Sequence, residues 1–96
     1  DEIDRGIGGA TADAVGRRLV RLSKNAQVLI VTHSPQVAAL GDAHFQVVKS
    51  ITSTETLTKV NPLDGDARIE EIARMISGDK ITNAAINAAA TLVDGR

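Results

Sequence analysis

The sequence predicts an α/β fold: a parallel βαβ portion, an added hairpin and C-terminal helices. Three observations predict it. Apolar residues recur at helical spacing over 10–24, a continuous apolar run "QVLIVT" follows at 27–32, and two strand-like stretches occupy 44–50 and 54–60. With 96 residues, the whole chain 1–96 is expected to form one domain or part of one.

In the first helical stretch, Ala12, Val15, Leu19 and Leu22 fall on one face of a 3.6-residue period. Thr11 or Gly9 is suited to cap its start. Arg17, Arg18, Arg21 and Lys24 take the opposite side, and the plain reading of that stripe is a solvated helix face. The run 27–32 is rich in β-branched residues, the pattern of a strand buried on both faces. His33-Ser34-Pro35 stops it. Ser34 can cap and Pro35 suits a first helical position, so "PQVAAL" reads as a short helix closed at Gly41.

The stretches 44–50 and 54–60 then read as an antiparallel edge hairpin around a turn at 51–53. His44 starts the first strand and is expected to be structural. Asn61 to Asp66 reads as a loop, with Asp66 as N-cap of a helix over 67–77 whose apolar face is Ile69, Ile72, Ala73 and Ile76. Gly78 ends that helix. A last helix over about 82–93 presents Ala85, Ala88 and Leu92 beside Ile86, Ala89 and Val93.

Composition excludes several classes of function. The chain has no cysteine, so disulfides and thiolate metal sites are excluded, which fits a cytoplasmic protein. No apolar run approaches the roughly 20 residues of a membrane span, and the acidic start is unlike a signal peptide. Formal net charge is −1, leaving no global field for nucleic acid or membrane. Phe45 is the only aromatic residue, too few for a base-stacking platform.

The opening "DEIDRGIGG" is the most chemically loaded stretch. If a strand ends just before Asp1, the helix and the 27–32 strand complete a βαβ unit with parallel strands. Asp1 and Glu2 then share the carboxyl edge of the sheet with His33, and that edge is where ligands bind in open α/β sheets. A carboxylate there suits Mg²⁺, a second can orient an attacking water, and a histidine can hydrogen-bond a phosphate oxygen. The combination suits metal-assisted phosphoryl transfer. A nuclease built on Asp1, Glu2 and Asp4 lacks the further acidic residue it would need on a neighbouring strand.

"DEIDRGIGG" at this distance from "VTHSPQVAALGDAHF", with "TETLTKV" and "LDGDARIEEIARMISGDKIT" following, resembles the C-terminal portion of the RecN family. These are bacterial DNA double-strand-break repair and recombination ATPases, related to SMC proteins, with an ABC-type head of the P-loop NTPase fold. The resemblance covers essentially the whole chain. It implies that Asp1 holds Mg²⁺ as the Walker B aspartate, that Glu2 polarises the attacking water, and that His33 contacts the γ-phosphate of ATP. It implies that 5–9 form a D-loop facing a second head in a homodimer, although Gly8 stands where the wider ABC pattern has an aspartate. It also implies ATP and Mg²⁺ as cofactors, the remainder of the head and DNA as partners, no membrane, and a cytoplasmic, nucleoid-associated location. No G-x-x-x-x-G-K-[ST] phosphate loop occurs in these 96 residues. The segment alone is therefore expected to be inactive and to read as the Walker B, D-loop and switch-histidine part of a head. An interaction module, or a head segment of another SMC or ABC ATPase, is the alternative.

Overall fold

The computed structural model describes residues 9–95. Their elements are α1 (Gly9–Ser23), α2 (Pro35–Ala39), β1 (His44–Ile51), β2 (Thr56–Leu63), α3 (Gly65–Ser77) and α4 (Asn83–Asp94). The α/β class and the hairpin followed by two helices agree with the sequence pattern.

The core lies between α3, α4 and the end of α2. Ile72, Ala73, Ala85, Ala89 and Ala39 form its buried centre, with Ile69, Met75, Ile81, Leu92 and Val93 packed around them. Ile72 is the one large side chain that is completely buried among the described residues. Alanines on α4 let that helix approach α3 closely. Thr82 starts α4 by accepting a hydrogen bond from the Ala85 N–H at 3.0 Å. Gly78 ends α3 at φ +81°, a conformation open to glycine at little cost.

The run 27–32 departs from expectation: it forms neither strand nor helix. A strand needs a neighbouring strand to form its hydrogen-bond ladder, and among the described residues the sheet is the two-stranded β1–β2 ribbon, which does not include 27–32. Val28, Ile30 and Thr32 are half-buried, whereas Leu29 is 86% exposed and Val31 56%. The alternation leaves one side covered and the other open. The parallel βαβ portion is thus not seen among the described residues.

The hairpin is longer and later than expected. β1 pairs antiparallel with β2 from His44↔Leu63 to Ile51↔Thr56, so the turn falls at 52–55 instead of 51–53. Thr52 sets it: its N–H donates to the Glu55 carbonyl at 2.8 Å, and its hydroxyl oxygen accepts from the Glu55 N–H at 3.0 Å. Pro62 lies inside β2 and not in a loop, which a two-stranded ribbon tolerates because each strand has an outward edge.

Three smaller corrections concern helix ends. α3 starts at Gly65 with Asp64 at the cap position and no side-chain cap bond, so Asp66 lies in the first turn. α2 closes at Leu40, one residue before Gly41. Thr11 sits inside α1.

Candidate functional site

Of the three residues expected to carry chemistry, Asp1 and Glu2 lie outside the described residues, as do Asp4 and most of the 5–9 segment. His33 is described. It sits in the loop entering α2, with its side chain exposed.

The loop around it is built from local bonds. The Ser34 N–H donates to Thr32 Oγ1 at 2.9 Å, pinning the backbone on both sides of His33. Ser34 Oγ accepts from the Val37 N–H at 3.3 Å and lies 3.0 Å from Gln36 Oε1. Ser34 is extended, φ −86° and ψ 121°, as the residue before a proline should be. Pro35 then starts the helix without wasting a donor.

α2 has five residues, too few to hold itself together in water. It is held by α1, α3 and α4, with Ala39 packed beside Ile72, Ala85 and Ala89. On the α1 side it meets Gly16, where an added Cβ would stand 2.6 Å from Leu40 Cδ1 and 3.5 Å from Val37 Cα. The missing side chain is what lets the two helices touch. On the α3 side, Arg68 is 6% exposed, and the two N–H groups of its Nη2 are shared among three carbonyls at the end of α2: Ala38 at 3.1 Å, Ala39 at 3.1 Å and Gly41 at 2.7 Å. These carbonyls lie at and just past the end of α2, where helix carbonyls lack intrahelical donors; Ala38 O also accepts from the Gly41 N–H.

A second polar cluster ties the hairpin base to α3. Glu71 is 7% exposed. Its carboxylate accepts from the Gln46 amide on β1 and from Arg74, whose Nε lies 2.7 Å away. That hydrogen bond raises the Arg74 pKa above its ordinary value. His44 stands nearby, and its pKa is lowered by burial first and by the Arg68 charge second, with Glu71 acting in the opposite sense. An open depression of about 280 Å³ adjoins Glu71 and Arg74, lined also by Gln46 and Leu63. Its carboxylate and guanidinium are already engaged with one another, so this cluster reads as structural.

Sequence periodicity missed both Arg68 and Glu71, because each occupies a buried position that the pattern reserves for apolar residues. Their available signal is position: Arg68 precedes Ile69, and Glu71 precedes Ile72, both on the apolar face of α3. Among the described residues no group of three or more His, Asp or Glu side chains is placed to hold a metal ion. No described helix is long and apolar enough to cross a membrane.

Comparison with known proteins identifies the chain's relatives. It is 50% identical over 93 residues to the DNA repair protein RecN of Rickettsia felis, covering 97% of this chain. It is 47% identical over 95 residues to RecN of Deinococcus radiodurans, covering 99%. The chain is homologous to a part of RecN. RecN of Streptomyces coelicolor matches at 45% over 80 residues. The chain spans 17% of the length of the Rickettsia and Deinococcus RecN proteins and 14% of the Streptomyces one. No protein-family model matches it.

Proposed function

We propose that this chain is the Walker B, D-loop and switch-histidine part of a RecN-type ATPase head, C-terminal in the complete protein, acting in DNA double-strand-break repair. The observation that carries this reading is the identity of 45–50% to proteins named DNA repair protein RecN, extending over 83–99% of the chain. In the complete head, 27–32 pairs as a parallel strand, and the open side at Leu29 and Val31 is where the neighbouring layer belongs.

Within that reading Asp1 holds Mg²⁺, since a hard cation takes oxygen ligands. Glu2 stays free of the metal and orients the attacking water. His33 hydrogen-bonds the terminal phosphate; its exposed side chain at the mouth of a capped loop is accessible to such a ligand. ATP with Mg²⁺ supplies the phosphoryl group and the charge neutralisation that its transfer requires. The segment 5–9 faces a second copy of the head, and DNA is engaged by the complete protein.

Nucleotide turnover by the complete protein tests the assignment. Glu2→Gln should abolish hydrolysis while ATP binding persists, and Asp1→Asn should weaken Mg²⁺-dependent binding. Undiminished hydrolysis in Glu2→Gln overturns the assignment. The 96 residues alone should not turn over ATP, because they contain no phosphate-binding loop. Mg²⁺-dependent turnover by the purified chain, lost in Glu2→Gln, would contradict that.

A docking role for this segment is a second reading, favoured by its exposed apolar hairpin residues Phe45, Val47 and Val60. The two readings are compatible if the partner is the remainder of the head.

A further inference from the structure

We propose that Arg68 is a positioning residue for His33, acting through α2. The inference rests on the reading of His33 as the group that meets the terminal phosphate of ATP.

His33 adjoins a short series of stiff parts. Ser34 is extended and bonded to both Thr32 and Val37. Pro35 fixes its own φ and restricts Ser34. The five residues of α2 follow, and the far end of that helix is gripped by Arg68. A helix this short has no stability of its own, so its orientation depends on its attachments. Arg68 stands on α3, the element that supplies Ile72 and Ala73 to the core, each 0% exposed. One guanidinium therefore links a helix of the core to the segment that orients His33.

The nature of the link supports a positional role. Three carbonyls from Ala38, Ala39 and Gly41 converge on a single Nη2. Together they fix both where the end of α2 lies and how it is rotated. A buried cation is costly unless its donors are used, and an apolar side chain would fill the space without directing the carbonyls. With Ala39 still packed in the core, loss of the guanidinium removes what directs the last carbonyls of α2, and the resulting change in the helix's rotation reaches His33 through Pro35 and Ser34.

The test uses the complete protein and compares ATP with ADP. Only ATP carries the phosphate that His33 is proposed to meet, so the ratio of the two affinities reports on the position of His33 and not on folding. Fluorescent ATP and ADP analogues titrated into the Glu2→Gln background measure binding without turnover. His33→Ala should reduce the preference for ATP by about tenfold, the worth of one charge-assisted hydrogen bond. Arg68→Met should reduce it by a similar factor, and the His33→Ala/Arg68→Met double variant should fall no further than His33→Ala. Arg68→Gln, polar but too short to reach the α2 carbonyls, should fall with Arg68→Met.

An unchanged ratio in Arg68→Met, with His33→Ala lowered as expected, overturns the positioning role and leaves Arg68 structural. If Arg68→Met does not fold, Arg68→Gln decides by the same ratio: a wild-type value overturns the inference. An unchanged ratio in His33→Ala overturns the reading of His33 itself, and the inference with it.

Discussion

At Glu71 a carboxylate is removed from solvent and shared between the Gln46 amide of β1 and the Arg74 guanidinium of its own helix. A buried charge held this way is worth little relative to a well-packed apolar pair, but deleting one partner is expensive. Glu71→Ala leaves the Gln46 amide without its acceptor, while Arg74 can turn to water because its side chain is 49% exposed. Urea unfolding of the variant should show a loss of about 1–3 kcal/mol, with Glu71→Gln less affected because it still offers an oxygen to Gln46. Equal losses in both variants would place the energy in charge rather than in the hydrogen bond. His44 adds a pH dependence. Its folded-state pKa is lowered from 6.5 by burial and by Arg68, so the folded state favours the neutral ring. The unfolded chain then binds the proton more readily, and stability should be complete above about pH 6.5 and decline as pH falls through the depressed value. His44→Gln should flatten the change in urea midpoint between pH 7.5 and 5.5. A wild-type profile in that variant would assign the dependence to other groups.

At the scale of elements, the contact between α1 and α2 depends on Gly16. Glycine inside a helix costs roughly 1 kcal/mol relative to alanine, so its presence in α1 requires a reason, and the 2.6 Å approach to Leu40 Cδ1 supplies one. Gly16→Ala sets the helix-propensity gain against a clash with the end of one side chain, and the two should nearly cancel. Gly16→Leu cannot be accommodated so easily and should destabilise by about 1–3 kcal/mol. Leu40→Ala should relieve part of that loss, giving a non-additive double-mutant cycle; strict additivity would show that the helices separate instead of colliding.

The same contact shows what was legible in the sequence. The helices at 10–24, 67–77 and 82–93 were readable because their apolar residues repeat every 3.6 positions. Yet Leu22 and Ile76 belong to that pattern and are 59% and 40% exposed. Periodicity marks the side of a helix that can be buried and says nothing about how far along it a partner extends. Gly16 fell outside the apolar count and proved to be a contact point. The run 27–32 was readable as strand-like from its composition, but pairing is a property of neighbours, and among the described residues the run belongs to no strand. His33 was legible from its place between an apolar run and Ser34-Pro35. Arg68 was not, because its partners are backbone carbonyls 27 to 30 residues away, which no side-chain pattern records.

For the molecule as a whole, the hairpin presents two different faces. His44, Gln46 and Leu63 turn toward α3, and each is half-buried. The opposite face carries Phe45 beside Pro62 and Val47 beside Val60. Phe45, Val47 and Val60 are 54%, 58% and 59% exposed, and Ile51 further along the same face is 80% exposed. The adjacent pairs Phe45–Pro62 and Val47–Val60 form an apolar patch of the kind that marks a contact surface, with Lys49 and Thr58 between it and Ile51, and the ribbon's unpaired edges add open hydrogen-bonding groups. The isolated chain should therefore associate with increasing concentration in light scattering. Val47→Thr with Val60→Thr should reduce association while keeping β-branched side chains suited to a strand. Because both positions are exposed in this chain, its own urea midpoint should correspond to a change within about 0.5 kcal/mol. In the complete protein the prediction reverses. If the remainder of the head covers this face, each threonine buries a hydroxyl with no assured partner, at a cost of about 1–3 kcal/mol, and the same pair of substitutions should lower the unfolding temperature. Improved behaviour of the isolated chain together with impaired stability of the complete protein would identify the face as an intramolecular contact. Unaltered stability in the complete protein would instead leave the face open there, available to a second molecule.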